Sequence, residues 1–542
     1  MNSERAKQPL IFRVLRNIGY NIIFTLLLTL VIIAHLYQLS NIPVGLYRDE
    51  SSIGYHIALI AQTGIDEHGV YFPLYSKVPG ESINPIYVYT AALIFKFFGI
   101  SEFNLRLTSF IFYITALIFT LLLVSKIFKK SKIVQIYTLL SFGFLPHFFT
   151  LSRISFDVIS QLTWVSAVVL FIWMIFHEEE GSRLELDYLK ISVCGLILGT
   201  SVYTYPTARL LSFLMLVSLW AVYYKRDNIK KLVTITLLFF IALIPYFIFI
   251  VNNPGAITSR FHNISYLYSS ISVIKKIAIF VYNVVAYWSP GFLIRYGDLN
   301  LRHSTGYGGV IFSITLFLFL LGLVNILFNK RLNKFSIFLL INLLLSPLAA
   351  ILTSEGTPHA LRSLLLGYYI LLISCYGLGF ILTVGDYYHR KILIACTLIL
   401  LIFEVIGYQL NYFIFYPSIS VEAMDSFDFK ESLQIAIDQN PKEIIFVNNP
   451  PNTDKHLKFY SYLVENPKGI PIRMSEQPIP TLGSCVLYHR RNEEKLNQFP
   501  YTFIEHENSR HLNLIERLFG VAPWYNMETV SIIKVRCYEN SK

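Results

Sequence analysis

Charged residues are scarce in this chain. Asp, Glu, Lys and Arg make up 15% of its 542 residues, whereas hydrophobic residues make up 54%, including 43 Phe and 36 Tyr. This balance is too apolar for a soluble protein of this length and is typical of a polytopic membrane protein. Five cysteines are too few for a disulfide scaffold. The chain also has no internal repeat, no low-complexity segment and no G-x-G-x-x-G pattern, which argues against a dinucleotide-binding role.

Long apolar runs, by contrast, recur through the first three quarters of the chain. A membrane-spanning helix needs about 20 apolar residues. The first run lacks a small-residue cleavage site, so we expect a retained span and not a signal peptide. The eleven candidate spans are 18–39, 105–125, 133–150, 158–177, 191–205, 208–223, 232–251, 309–328, 335–352, 363–384 and 392–413.

The basic residues are distributed unevenly between the two sides that these spans define. If the N-terminus is cytoplasmic, the inside segments hold 19 Lys and Arg against 8 Asp and Glu. Their net charge of +11 equals the formal charge of the whole protein. Because cytoplasmic loops favour Lys and Arg, this excess is a topology signal, and a nucleic-acid partner is not predicted. We expect a multi-pass protein of the plasma membrane.

This topology divides the chain into two predicted domains. Residues 1–415 form the transmembrane domain, with a first outer loop at 40–104 and a large outer loop at 252–307. Residues 416–542 form a small α/β domain on the outer face, since strand-like and helical patterns alternate there.

Two further features of the outer segments stay open at this stage. Segments 85–99 and 271–288 are apolar but carry lysines, which suits helices lying in the membrane interface. Cys485 and Cys537 lie in strand-like runs of the outer domain, which leaves a disulfide between them open.

Polar clusters inside the apolar sequence all fall on the outer side. Each of the three short outer loops carries a single arginine, namely Arg153, Arg209 and Arg362, where the positive-inside rule disfavours one. Guanidinium groups bind phosphate oxygens in a bidentate fork, so these arginines are candidate phosphate ligands. The alternative is that each anchors a helix end or pairs with a nearby acid such as Asp157 or Glu355.

Two acidic loops complete the cluster. "YRDESS" (47–52) places Asp49 beside Glu50, soon after the first span, and "GDLNLRHS" (297–304) carries Asp298, Arg302 and His303. The glycines around the second motif permit close backbone approach to a ligand, or only make turns. A lipid phosphate leaves as a stable anion, so its transfer chemistry needs one general base and positive charge for the leaving group. Asp49 and Glu50 suit the first role, and Arg153, Arg302 and Arg362 suit the second.

Several motifs in order carry a family resemblance. These are the first-loop acids, "NPIYVY", "EFNLRLTSFIF" (102–112), "LSRISFD" (151–157), "GDLNLRHS" and "PHALRS" (358–363). Over roughly residues 20–410 the chain resembles the GT-C glycosyltransferases, close to the prokaryotic relatives of protein O-mannosyltransferases and aminoarabinose transferases.

The resemblance implies a fold, an activity and residue roles. It implies a polytopic α-helical GT-C fold with about 11 to 13 transmembrane helices. It also implies transfer of a sugar from a polyprenyl-phosphate donor, with inversion, on the extracytoplasmic side. The acceptor would be a hydroxyl or phosphate of a protein, glycolipid or wall polymer. Asp49 matches the catalytic base, Glu50 its usual neighbour and Asp157 a second functional acid.

One position departs from the family pattern. Ile83 stands in "INPIY" (83–87) where many relatives have a phosphate-contacting lysine. The resemblance therefore shifts the donor-phosphate role to Arg153, Arg302, Arg362 and Lys77. The remaining predicted substrate contacts are Tyr87, Arg209, Asp298, His303 and His359.

Two alternatives remain at this stage. A lipid or solute transporter or flippase also carries charges, although such proteins place them near mid-bilayer. The second alternative is a metal-dependent enzyme. Five residues offer suitable ligand atoms, although their spacing does not specify a site. We predict no cofactor or metal and leave a divalent cation open. The five residues are Asp49, Glu50, Asp157, His303 and His359.

Overall fold

The structure of the protein is a computed structural model. It describes residues 10–78, 81–129, 131–177, 184–328, 333–424, 426, 428–448, 453–477, 479–499, 503–506 and 533–538.

The secondary structure of the described residues up to 424 is helical apart from one short β-hairpin. The hairpin pairs β1 (Ser76–Val78) with β2 (Glu81–Ile83) in the first loop. The helices are α1 Leu10–Leu36, α2 Arg48–Thr63, α3 Pro85–Phe98, α4 Glu102–Ile127, α5 Lys132–Phe144, α6 Pro146–Leu151, α7 Val158–His177, α8 Leu184–Thr200, α9 Ala208–Tyr223, α10 Ile229–Ala242, α11 Ile244–Asn252, α12 Ser259–Ile264, α13 Val273–Tyr287, α14 Ser313–Phe328, α15 Lys334–Leu345, α16 Leu348–Ile351, α17 Leu364–Ile381, α18 Tyr387–Leu410 and α19 Tyr416–Met424.

All eleven predicted spans are helical, which confirms a multi-pass membrane protein. Among the described residues, eight helical segments are long and apolar enough to cross a bilayer, and shorter apolar helices accompany them. The predicted span 133–150 is interrupted at Leu145, directly before Pro146. A proline has no backbone N–H and disfavours helical geometry at the preceding residue, so this span bends there.

The two segments interpreted as interfacial are also helices. Pro85–Phe98 is shorter than a full span, whereas Val273–Arg295 is long and apolar enough to cross. Their placement relative to the bilayer stays a prediction.

Two glycines allow the closest helix contact in the described part of the bundle. A Cβ atom on Gly322 of α14 would lie 2.1 Å from the Ile373 carbonyl oxygen of α17. A Cβ atom on Gly377 would lie 1.9 Å from the Leu318 carbonyl oxygen. Small residues at facing positions let membrane helices approach to backbone contact. Helix α17 thereby lies at the centre of the bundle, with most of its residues buried.

The C-terminal region forms the predicted α/β structure. Its mixed sheet consists of β3 (Glu443–Val447), β4 (Ile472–Ser475), β5 (Ser484–His489), β6 (Phe503–His506) and β7 (Ile533–Tyr538), in the order β4-β3-β5-β7-β6. Strand β3 pairs in parallel with β4 and β5, while β7 is antiparallel to β5 and β6. Cys485 and Cys537 face each other across β5 and β7 and form a disulfide.

Three helices flank this sheet, and the helical run before it crosses the predicted domain boundary. They are α20 (Phe429–Asp438), α21 (Asp454–Tyr460) and α22 (Glu493–Leu496). The helical run from Tyr387 to Val421 continues through residues 415 and 416. The division of the chain into two domains there stays a prediction.

Helix α21 docks the C-terminal region onto helix α2 of the first loop. His456 Nδ1 lies 2.8 Å from Ser51 Oγ, and both side chains are buried. Phe459 packs against Gly54, where a Cβ atom would lie only 2.7 Å from its ring. Lys458 also forms an ion pair with Glu67. These contacts fix the α/β region beside the start of α2, which carries the predicted catalytic acids.

Candidate functional site

The predicted outer connections meet in one large cavity. Its volume is about 1010 Å³. It is lined by the first loop, the large loop, the short connections before α7, α9 and α17, and Lys455 of the C-terminal region. Eight of the twelve predicted site residues line it: Asp49, Asp157, Arg209, Asp298, Arg302, His303, His359 and Arg362.

Asp49 lies in the first turn of α2 and is exposed to the cavity. The unpaired backbone N–H groups of a helix N-terminus favour a carboxylate at this position. The helix begins here because the Glu50 side chain in its first turn accepts a hydrogen bond from the backbone N–H of Tyr47, the residue before the helix. The carboxylate of Asp49 is therefore held at the cavity by a fixed helix end.

Glu50 faces the protein interior, which corrects its predicted catalytic role. Successive helical residues do not share a face, and Glu50 is fully buried. Its Oε1 accepts hydrogen bonds from Arg106 Nε (3.1 Å) and the Ser155 backbone N–H (2.7 Å), while its Oε2 accepts from the Tyr47 N–H (3.1 Å). Glu50 thus joins α2 to the chain segment before α7 and does not line the cavity.

Arg153 is also buried behind the cavity, which corrects its prediction as a phosphate ligand. Its guanidinium donates to the backbone carbonyls of Ala34, His35, Tyr37, Gln38 and Ile42 and to the Tyr412 hydroxyl. A buried guanidinium with its donors satisfied in this way has none left for a substrate phosphate.

Arg106 performs a similar function beside it. It donates to the carbonyls of Leu39, Ser40, Pro43 and Gly45 as well as to Glu50. The two arginines hold the connection between α1 and α2 in one conformation.

Tyr87 and Lys77 are the other predicted residues outside the cavity lining. The Tyr87 hydroxyl is buried between Ser109 Oγ (2.7 Å) and Ser155 Oγ (2.8 Å). It therefore packs in the core, which corrects the prediction that it contacts substrate. Lys77 lies in strand β1, and its side chain falls outside what the structure describes.

Asp157 and Arg209 are linked through Asn84. Asn84 Nδ2 donates to Asp157 Oδ2 at 2.6 Å, and Asn84 Oδ1 accepts from Arg209 Nη2 at 3.2 Å. Arg209 also donates to the Ile257 carbonyl and lies over the Tyr75 ring. This chain of hydrogen bonds orients a carboxylate and a guanidinium on one wall, next to Ile83.

Arg302 and Arg362 bring positive charge to the lining of the cavity. The Arg302 guanidinium carbon lies 4.0 Å from the centre of the Tyr47 ring, a cation–π contact next to Asp49. Arg362 Nη2 donates to Glu355 Oε2 at 2.7 Å, and Arg260 Nη2 donates to the same oxygen at 2.9 Å. The alternative that Arg362 pairs with Glu355 is therefore correct, although Arg362 still lines the cavity.

The Glu355 carboxylate is held ionised by these two arginines. Partial burial acts to raise its pKa, but the hydrogen bond from Arg362 and the charges of Arg260 and Arg362 lower the pKa below its usual value. Two guanidinium groups facing one carboxylate leave a net positive charge at this edge of the cavity.

Asp298, His303 and His359 form a compact buried group. Asp298 Oδ2 lies 3.0 Å from His303 Nδ1 and 3.8 Å from His359 Nδ1, and the two imidazole rings stack with centres 4.6 Å apart. Burial lowers the pKa of both histidines, and the neighbouring arginines lower it further. Burial acts to raise the pKa of Asp298, but the hydrogen bond from His303 and the two adjacent imidazoles lower it overall. The carboxylate is charged and both rings are neutral near pH 7.

Sequence reasoning missed four residues that build this site. Asn84 lies within the quoted "INPIY" motif, directly after the noted Ile83. Arg106 is a charged residue just inside an apolar span, which is a signal for a buried functional or structural group. Arg260 and Lys455 line the cavity from segments with no motif, so only the tertiary structure reveals them.

The fold of this chain is shared with solved structures. No known family model matches the sequence, and no curated protein matches it. Solved structures do match, and the fold that they share with this chain is that of the GT-C membrane glycosyltransferases. This confirms the fold predicted from the motifs.

Three solved structures illustrate the similarity. ArnT from Cupriavidus metallidurans bound to undecaprenyl phosphate has a TM-score of 0.60 at 11% identity, over 97% of this chain and 99% of that chain. The apo state of the same protein has a TM-score of 0.58 at 11% identity, over 90% and 96%. The apo oligosaccharyltransferase from Archaeoglobus fulgidus has a TM-score of 0.50 at 15% identity, over 85% of this chain and 62% of that chain.

Proposed function

We propose that this protein is an integral membrane glycosyltransferase that moves a sugar from a polyprenyl-phosphate donor to an acceptor. The acceptor is a hydroxyl or phosphate of a protein, glycolipid or wall polymer. The observation that carries the proposal is the cavity itself, whose lining combines Asp49 and Asp157 with Arg209, Arg302 and Arg362. The fold shared with ArnT, whose structure holds undecaprenyl phosphate, supports the choice of a polyprenyl-phosphate donor.

The chemistry of such a transfer matches the charges in the cavity. The acceptor hydroxyl must lose a proton as it attacks, and the donor phosphate must leave with its negative charge stabilised. A single carboxylate at the helix end supplies the base, and guanidinium groups stabilise the leaving phosphate. Attack on the face opposite the leaving phosphate gives inversion at the sugar carbon.

We assign these roles to particular residues. Asp49 is the general base, because it is exposed to the cavity while its neighbour Glu50 is committed to Arg106. Asp157 orients the acceptor together with Asn84. Arg302 and Arg362, which line the cavity, bind the donor phosphate. Arg209 also lines the cavity and contacts substrate, and Lys77 remains a candidate phosphate ligand.

The active site is proposed to lie on the extracytoplasmic face of the plasma membrane, with the N-terminus in the cytoplasm. The basic segments between spans support this orientation. The disulfide of the C-terminal region also supports it, since disulfides form in oxidising compartments. Labelling of an engineered single cysteine in the 224–231 connection, with intact and permeabilised cells, tests the orientation directly.

The test of the activity is transfer in membranes that contain the protein and a supplied polyprenyl-phosphate sugar. Asp49→Asn keeps the shape of the side chain and removes the base, so transfer is expected to fall roughly 10²–10⁴-fold. Asp438→Asn is a matched control, because Asp438 is an exposed helix residue that does not line the cavity. Full activity of Asp49→Asn would refute the role of Asp49. Lipid scrambling or solute uptake by the reconstituted protein without any sugar transfer would favour a transporter.

A further inference from the structure

The Asp298 group has a geometry that its hydrogen bonds do not fully explain. A hydrogen bond between His303 Nδ1 and Asp298 Oδ2 accounts for their 3.0 Å contact. His359 Nδ1 is buried and makes no hydrogen bond to any described residue. A buried polar atom left in this way is costly, so the position of the second imidazole calls for another partner.

The distances fit a metal centre. Zn²⁺ binds nitrogen and carboxylate oxygen at about 2.0–2.2 Å, which places tetrahedral ligand atoms about 3.3 Å apart. Asp298 Oδ2 lies 3.0 Å and 3.8 Å from the two imidazole Nδ1 atoms, on either side of that value. Ligand atoms of all three residues lie within 4.8 Å of one another, so shifts of less than about 1 Å bring them to one ion.

The surroundings of the carboxylate resemble those of a metal ligand. Asp298 Oδ1 accepts from the Asn300 N–H at 2.9 Å, and Oδ2 accepts from the Ala360 N–H at 2.8 Å. Such hydrogen bonds orient the direct ligands in known metal sites. All three side chains also line the cavity, which provides an entry path and an open fourth position.

We propose that Asp298, His303 and His359 bind a divalent transition metal, for which Zn²⁺ is the best match. Two imidazoles and one carboxylate with an open position form a ligand set that suits zinc and other borderline cations better than magnesium or calcium. The inference goes beyond the proposed transferase activity and does not depend on it.

The metal has a clear structural consequence. Asp298 and His303 lie in the large loop, whereas His359 lies in the connection before α17. An ion bound to all three joins these two segments, which carry Arg302 and Arg362 respectively. The metal therefore fixes the spacing between the two arginines that line the cavity.

Metal analysis of the purified full-length protein tests the proposal. The protein is purified with a tag that contains no histidine, and bound metals are measured by mass spectrometry. Wild type is expected to carry about one Zn²⁺ per chain, and Asp298→Asn, His303→Ala and His359→Ala are expected to lose it. His262→Ala is the matched control, because His262 is exposed in the same loop and lies outside the group. Retention of full metal content by all three variants would overturn the proposal.

A second measurement keeps the test valid when a variant does not fold. Wild-type protein is stripped with a chelator and then supplied with Co²⁺, and the bound Co²⁺ is expected to show the visible absorption bands of an ion in a low-symmetry site. Added Zn²⁺ is expected to displace the Co²⁺ and abolish these bands. The melting temperature is expected to fall on stripping and to recover with Zn²⁺ but not with Mg²⁺. Wild type without bound metal and without any Co²⁺ absorption would refute the site.

The test of the metal site can be distinguished from the test of the proposed transferase activity. Asp49→Asn is expected to bind the metal normally while losing transfer. A metal-loaded protein with no transferase activity would refute the proposed function alone, and an active protein without metal would refute this site alone.

Discussion

Adjacent carboxylates at positions 49 and 50 are expected to give opposite phenotypes when each is changed to its amide. Glu50→Gln removes the charge that faces the buried Arg106, whereas Asp49→Asn changes an exposed group. The Glu50→Gln change would also place an NH₂ group where a carboxylate oxygen now accepts hydrogen bonds. We therefore expect a folding defect from Glu50→Gln and a catalytic defect from Asp49→Asn.

The contacts of Glu50 set the size of the stability loss expected from Glu50→Gln. Removing one partner of a buried ion pair costs about 3–5 kcal/mol, because the remaining charge stays buried. Unfolding entropy is about 2.1 cal/mol/K per residue, so for 542 residues this cost lowers the melting temperature by roughly 3–4 °C. A smaller cooperative unit would give a larger shift. Asp49→Asn is expected to leave the melting temperature within about 1 °C of wild type, since surface changes are usually within 0.5 kcal/mol.

The assay measures both properties on the same purified samples. Thermal unfolding by intrinsic fluorescence gives the stability, and transfer from a polyprenyl-phosphate sugar well below the melting temperature gives kcat. Folded Glu50→Gln is expected to keep kcat within about tenfold of wild type, because its role is positional. A Glu50→Gln protein with the wild-type melting temperature and a kcat reduced more than 10²-fold would refute the reasoning and assign the base to Glu50.

Three further outcomes follow from the structure. Arg153→Lys is expected to lower the free energy of unfolding by roughly 2–3 kcal/mol, because lysine cannot replace all the hydrogen bonds that the guanidinium donates to the α1–α2 connection. The KM for the sugar donor should be unchanged. A raised KM with normal stability would instead identify Arg153 as a phosphate ligand. Since the folded pKa of Glu355 lies below its ordinary value of about 4.5, its stabilising effect is present above that pH and is lost as the pH falls through the folded pKa. Glu355→Gln should therefore reduce the fall in melting temperature that wild type shows as the pH drops below about 4.5. An equal fall in both proteins would contradict this. Replacing Cys485 and Cys537 by alanine removes a crosslink across 52 residues, which is expected to lower the free energy of unfolding by about 4 kcal/mol. Mass spectrometry that finds both thiols free in wild type would show that the disulfide does not form.

Much of the fold could be predicted from the sequence because a membrane-spanning helix requires a long run of apolar residues. Spanning helices need long apolar runs, and their orientation follows the basic connections. All eleven runs are helices in the structure. The α/β pattern after residue 416 was visible for a related reason, since strands and helices have different hydrophobic periods.

The site was predicted less completely, and the errors share a cause. Asp49 and Glu50 are neighbours in sequence, but a helix turns by about 100° per residue, so one faces the cavity and the other the core. Arg153 lies in a polar motif at the end of a span, yet its guanidinium turns inward to the carbonyls of a distant connection. A motif reports which polar residues occur at one end of the bundle, but it does not report the direction of each side chain.

The sequence by itself determined the class of architecture, the positions of the long apolar helices and the set of candidate polar groups between them. It did so because hydrophobic length, charge bias and residue type are local properties. Only the tertiary structure decided which of those groups share the cavity. The Glu50–Arg106 pair, the Asn84 bridge and the Asp298, His303 and His359 group each join segments that lie far apart in the chain. Their formation depends on how the helices pack, and no single segment contains that information.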